Sequence, residues 1–214
     1  MNAYTTPEWS RSALLTIDVQ EDFAVPGSSA FISGTAEIVP TLQRLVASYR
    51  EAKLPVIHVV RLYTEDGANV DLCRRQKIQE GTKIVIPKTK GSQIVNDLLL
   101  CSSLSLDTEI LLSGKLQTIG RREWIMHKPR WGAFYKTPLE GHLRRQGIST
   151  VVFSGCNFPN CPRTSTYEAS ERDFRIALVT DAISGIYARG VDELVNIGVT
   201  CLTADNMIKN LESL

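Results

Sequence analysis

The chain is 214 residues long, 43% hydrophobic and 22% charged, with 24 basic residues against 23 acidic and a formal net charge of +1. That length suits one α/β domain burying about 70% of its unfolded surface, and the balanced charge excludes the global basic field that nucleic acid or an anionic membrane selects. Five cysteines, an odd number without C-x-x-C spacing, argue against both a disulfide framework and a structural zinc site.

The opening residues show no basic stretch followed by an apolar one, and no apolar run approaches ~20 residues, so a reducing cytoplasm is the expected compartment. Ala13-Leu-Leu-Thr-Ile-Asp18-Val-Gln20 then reads as a parallel strand buried on both faces and closing in polar residues. Asp18 is costly to bury without a partner. It reads either as a capping aspartate or as a carboxylate at the strand end where open α/β sheets bind ligands.

Phe23 and Pro26-Gly27 form a loop able to wall the same crevice. From Ala36 to Ala52, Ile38, Leu42, Leu45, Val46 and Tyr49 recur at helical spacing, and Pro55 to Leu62 is a second buried strand, parallel to the first through a right-handed crossover. His58 inside it has no second ligand at suitable spacing and reads as a core histidine. No metal is expected.

Residues 64–122 read as an insertion or extended loop region over one domain spanning 1–214, with a helix over Gln93–Leu100 and a short strand over Glu109–Gly114. Its basic residues, Arg74, Arg75, Lys77, Lys83, Lys88 and Lys90, suit a solvated surface or an anionic-substrate rim. A strand follows from Glu123 and ends at Lys128, held extended by Pro129. Lys128 is either a surface charge or a second ionic group at the ligand edge of the sheet, and Trp131, Phe134 and Tyr135 beside it are either core or a dry pocket wall.

Thr137-Pro138-Leu139-Glu140 has the form of a capping box with proline at the first helical position, and Gly147 stops that helix. Ile148–Phe153 is a strand that runs into Gly155-Cys156-Asn157-Phe158-Pro159-Asn160-Cys161-Pro162. Asn160 is a suitable N-cap, and Cys161 falls at the start of the next helix. The free N–H groups and dipole there favour a thiolate and can hold an oxyanion. Cys161 is thus either a nucleophile or a cysteine buried under a helix start.

Further elements are a strand over Arg175–Thr180, a helix near Asp192–Ile197, a strand over Val199–Thr203 and a terminal helix. About six strands alternating with helices specify a three-layer α/β/α sandwich around a mostly parallel sheet. Nucleotide-binding glycine motifs and the Gly-x-Ser-x-Gly elbow are absent, so no cofactor is expected.

Asp18-x-Gln20 after the first strand, Lys128 followed by Ala133-Phe134, and Gly155 six residues before Cys161 together resemble the isochorismatase-like cysteine hydrolases, the group of nicotinamidases, N-carbamoylsarcosine amidases and isochorismatases. The resemblance implies a Cys161-Asp18-Lys128 triad, an oxyanion hole of the Asn157 and Cys161 N–H groups, a non-proline cis peptide at Cys156–Asn157, and a homo-oligomer. Phe158, with Phe23, Trp131, Phe134 and Tyr135, is then expected at the substrate pocket. Two departures stand out: Phe158-Pro159 replaces the usual Thr-Asp of the turn, and Arg61-Leu62-Tyr63 occupies the neighbourhood of the nicotinamidase metal ligands.

The implied function is C–N hydrolysis of a small amide, imide or ureido compound through a thioester. The alternatives are vinyl-ether hydrolysis of an isochorismate-like compound, which does not need the thiol, and a non-catalytic binding protein on the same fold.

Overall fold

The fold follows from strands that are apolar on both faces and therefore need a helical layer on each side. The computed structural model describes residues 2–214. Seven strands form one sheet: β1 (Ser12–Ile17), β2 (Val56–Val60), β3 (Leu116–Gly120), β4 (Glu123–His127), β5 (Thr150–Gly155), β6 (Arg175–Ile183) and β7 (Thr200–Leu202). Their order is β3-β4-β2-β1-β5-β6-β7, and every pairing is parallel except β3 with β4.

Alternation of side chains along the strands divides the interior into two cores. Leu14, Val56, Ile125 and Val152 face α2 (Thr35–Glu51) and α8 (Ala204–Glu212). Ala13, Leu15, Ile57, Val151 and Phe153 face the opposite layer. That layer consists of α5 (Leu139–Arg145), α6 (Cys161–Ser170) and α7 (Ala188–Asn196). Three short helices complete the chain: α1 (Glu21–Ala24), α3 (Leu72–Gln79) and α4 (Thr108–Leu112).

The three-layer sandwich is the expected one, with a seventh strand in place of six. The additional strand is β3, an antiparallel edge whose residues are only half-buried, so it lacks the solid apolar run that marks the others. Two expectations in the 64–122 region are corrected. Glu109–Gly114 is not a strand: Asp107 accepts hydrogen bonds from the Glu109 and Ile110 N–H groups and starts α4 there. Three consecutive apolar residues do not distinguish the two structures by themselves.

Gln93–Leu100 is not a regular helix. Glu21 N–H donates to Gln93 O and Val95 N–H to Val19 O, which ties this segment to the chain leaving β1 and leaves only a 3-10 turn at Asn96–Leu98. The capping box at Thr137 forms only in part, its Oγ1 accepting from the Leu139 N–H at 3.4 Å. Pro138 is itself the N-cap, and Thr137 Oγ1 donates to Ala133 O at 2.6 Å.

A smaller apolar cluster sits over the carboxyl ends of the strands. Phe23, Tyr63, Val70, Ile78, Ile84, Val85 and Cys156 form it, so the segment after β2 packs down onto the loops of β1 and β5. Among the described residues no helix is long and apolar enough to cross a membrane.

Candidate active site

The sheet brings four strand ends to one level. Ile17 is in register with Val59 and with Gly155, and Val60 with His127. The next residues are therefore Asp18, Arg61, Lys128 and Cys156. The hydrogen-bond ladder continues through them: Asp18 N–H donates to Val59 O, Lys128 N–H to Val60 O and Cys156 N–H to Ile17 O. The chain leaves β1 to one side for β2 and reaches β5 on the other, so this is the switch point where open α/β sheets place their ligands.

Asp18 has a positive φ of 53°, a conformation that aspartate tolerates better than most residues. That turn directs its carboxylate across the strand ends. Oδ2 lies 2.8 Å from Lys128 Nζ, and both groups are buried, the lysine completely. Lys128 Nζ also donates to Arg130 O at 3.3 Å. A buried ammonium without such partners would lose several kcal/mol of hydration uncompensated. Asp18 Oδ1 has no hydrogen-bond partner of proper geometry.

Cys161 stands at the first position of α6 and is 5% exposed. Its thiol is pushed up to about 11, first by burial and next by the Asp18 charge, against the lowering influence of Lys128 and Arg61. The helix start and the two cations therefore do not by themselves make a thiolate: burial, with the Asp18 charge, keeps the proton on the sulfur. The resting state is a thiol facing a carboxylate that lacks one hydrogen bond.

The turn before Cys161 is tight because Gly155 allows it. Its φ is +105°, and a Cβ there would lie 2.3 Å from Ile17 O. The expected cis peptide at Cys156–Asn157 is not present; that bond is trans, as are all peptide bonds among the described residues. The trans form is favoured by about 3 kcal/mol, and the turn closes through Cys156 N–H to Ile17 O and Phe158 N–H to Ser184 O. Asn160 does not cap α6 with its side chain, since its amide donates instead to Asn157 Oδ1 at 3.3 Å. Among the described residues, neither the Asn157 N–H nor the Cys161 N–H has a protein acceptor.

The five aromatic residues separate. Phe23 joins the cluster over Cys156, and Trp131 stands against Arg61, 5.2 Å from its guanidinium carbon. Phe134 packs on Phe174 and Phe158 on Tyr187, and both phenylalanines belong to the α5–α7 core that also contains Cys161. Tyr135 is 46% exposed, with Lys136 over its ring. Burial by the flanking helices captured the two phenylalanines.

Gln20, part of the sequence motif, acts as a clamp. Its Nε2 donates to Arg61 O and Ser92 O, and its Oε1 accepts from the Arg61 N–H at 2.7 Å. Sequence reasoning missed Arg61 itself as a member of the site, along with its partner Asp71, 2.9 Å away. The signal was present: Arg61 ends an apolar strand as Asp18 and Lys128 do. His127 beside Lys128 is held down at about 4 by burial and by the Arg61 and Lys128 charges, so its imidazole is neutral. Among the described residues no group of three or more His, Cys, Asp or Glu side chains is arranged to hold a metal.

The architecture is that of the isochorismatase-like α/β sandwiches. A solved isochorismatase family protein from Desulfovibrio vulgaris superposes with a TM-score of 0.78 at 30% identity, covering 94% of this chain and 98% of that one. The Isochorismatase domain model matches residues 12–100 and 112–205, and the chain belongs to the isochorismatase family.

Among curated relatives, a probable inactive nicotinamidase of Arabidopsis thaliana is 29% identical over 197 residues, 89% of this chain and 91% of that protein. A ureidoacrylate amidohydrolase of Methylorubrum extorquens is 34% identical over 189 residues, 80% of this chain and 68% of that protein.

Proposed function

We propose that the protein is a cysteine amidohydrolase that cleaves the C–N bond of a small amide, imide or ureido compound. The observation that carries this reading is the Asp18 carboxylate, pinned on one oxygen by Lys128 at 2.8 Å and left unpartnered on the other beside the Cys161 thiol. A carboxylate so held is positioned as a base, and a thiol at a helix start is positioned as a nucleophile.

In the first half-reaction Cys161 passes its proton to Asp18 and the sulfur attacks the substrate carbonyl carbon. The tetrahedral oxyanion is received by the Asn157 and Cys161 N–H groups, which are free to donate. Collapse breaks the C–N bond, and the protonated Asp18 delivers its proton to the departing nitrogen. The thioester is then hydrolysed by water, whose proton returns through Asp18 to the cysteine sulfur. Lys128 keeps the carboxylate oriented throughout and opposes the charge that collects at the site.

The family membership and the amidohydrolase relative support this reading. The test is a screen of small primary amides, imides and ureides on wild type and Cys161→Ala, with intact-mass analysis of quenched reactions. Turnover and a transient acyl adduct on Cys161 are expected in wild type, and both should vanish in a folded Cys161→Ala. Undiminished turnover in that variant would sink the covalent mechanism; no turnover by wild type on any member would favour vinyl-ether chemistry or a non-catalytic protein.

A further inference from the structure

At the amino ends of β2 and β4, away from Asp18 and Cys161, a cavity of about 430 Å³ opens between the end of α2, the segment around Leu100 and the β3–β4 turn. Its volume is in the range of small-molecule sites. Five residues of chain along β4, about 16 Å, separate Glu123 in its wall from Lys128 in the candidate active site. Leu54 and Val56, both buried, make its floor, and Leu100, 48% exposed, stands at its mouth. Gly120 keeps the wall thin, because a Cβ there would meet Leu100 Cδ1 at 3.0 Å and Glu123 Cβ at 3.2 Å.

Cations ring this apolar floor. Arg50, Lys53, Arg121 and Arg122 line the cavity, and Glu123 is the carboxylate among them. Glu123 is already committed: Arg50 Nε and Nη2 donate to it, and His58 Nε2 meets it at 2.8 Å. Arg50 Nη2 also donates to Leu98 O, so the guanidinium is fixed while its Nη1 has no protein acceptor. Among the described residues Lys53, Arg121 and Arg122 have no carboxylate within ion-pair distance, and Arg122 donates only to the neutral Gln146 Oε1 at 3.4 Å.

The backbone sets Lys53 at this rim. Its φ is +56°, and the N–H groups of Lys53 and Leu54 donate to Arg50 O and Tyr49 O, which occupies carbonyls at the end of α2 that would otherwise repel an anion. Exposed cations alone are ordinary surface. Around an apolar floor, and without counter-ions, they match a ligand that has both a hydrocarbon part and a negative charge.

We propose that this cavity binds a small amphipathic organic anion, a carboxylate on a compact hydrocarbon body, at a site separate from the catalytic one. The body covers Leu54, Val56 and Leu100, and the carboxylate lies among Lys53, Arg121 and Arg122, with Arg50 Nη1 as a further donor. A carboxylate lacking the body leaves the floor wet, and a body lacking the charge leaves the cations without an acceptor.

The test does not depend on the hydrolase reading. The probes are octanoate, octan-1-ol and butanoate, titrated calorimetrically into the full-length protein. Octanoate should bind at least about tenfold more tightly than octan-1-ol, from the charge-assisted contacts, and at least about tenfold more tightly than butanoate, from four further methylenes. Cys161→Ala should bind octanoate as wild type does. The double variant Lys53→Gly/Arg121→Gln, in which glycine suits the positive φ, should weaken octanoate at least about tenfold and leave octan-1-ol unchanged. Leu100→Asp puts a carboxylate at the mouth and should abolish octanoate binding.

No octanoate binding by wild type, equal affinity for octan-1-ol, or an affinity untouched by both sets of substitutions overturns the assignment. Loss of binding in Cys161→Ala also overturns it, by placing octanoate in the catalytic site. Absent binding together with a dimer that Leu100→Asp dissociates in sedimentation would overturn it in favour of a second copy covering this face. If Leu100→Asp does not fold, the double variant decides.

Discussion

Replacing Asp18 by asparagine keeps the shape of the side chain and removes its charge, and two quantities should then move in opposite directions. The Cys161 thiol stands at about 11 because burial and the Asp18 charge raise it, while Lys128 and Arg61 lower it. In Asp18→Asn the cations act unopposed, so the thiol pKa falls. Each unit of fall gives tenfold more thiolate at neutral pH and a sulfur less nucleophilic by about threefold, a net gain of about threefold in alkylation rate per unit.

Hydrolysis, in contrast, loses its proton acceptor and should drop by about 10²–10⁴-fold in kcat. The assay is iodoacetamide labelling of Cys161 across pH, resolved by mass spectrometry from the other four cysteines, beside turnover of a cleaved amide. Urea unfolding controls for stability, because Lys128 left charged and unpaired costs about 3–5 kcal/mol unless the asparagine compensates. An alkylation profile that stays in place, or turnover kept within about tenfold of wild type, refutes the assignment of Asp18 as both charge neighbour and base.

Two further predictions concern the scaffold. Burial pushes the Glu123 carboxyl up, but it accepts from Arg50 at 2.7 and 2.9 Å and meets His58 Nε2 at 2.8 Å, and these contacts together outweigh burial and hold it at about 2. A folded pKa below the ordinary 4.5 gives stability present above about pH 4.5 and lost as pH falls towards 2. Urea melts of wild type should therefore lose up to about 3 kcal/mol over that window, more than Glu123→Gln loses, and parallel losses would refute it. Gly155→Ala places a methyl 2.3 Å from Ile17 O at φ +105°, so it should destabilise by at least about 3 kcal/mol in the same assay; a change below about 1 kcal/mol would show that the turn relaxes freely.

Two sets of polar side chains against the sheet serve different ends. Towards the start of β4, Thr16, His58, Glu123 and Arg50 form a satisfied chain of hydrogen bonds, with His58 Nδ1 2.7 Å from Thr16 Oγ1. At the carboxyl ends, Asp18 Oδ1, Asp71 Oδ1 and the Arg61 nitrogens are unsatisfied. Satisfied networks rigidify a core, whereas unsatisfied ones mark where a structure awaits another group.

What the sequence determined by itself was local. Buried parallel strands appear as apolar runs, and a charge at the end of such a run is visible without any partner, which is why Asp18 and Lys128 could be singled out and why Cys161 could be placed at a helix start. β3 and α4 were less legible, because a half-buried edge strand and a three-residue apolar run carry little periodicity.

Only the tertiary structure decided which strand ends are neighbours. The lateral order β4-β2-β1-β5 is a property of long-range packing, and it brings Lys128 to Asp18 and Arg61 beside both. It also decided that Phe134 and Phe158 belong to the core and that the Cys161 thiol is raised. Burial and the distance between charges set those outcomes, and both exist only once the layers have closed.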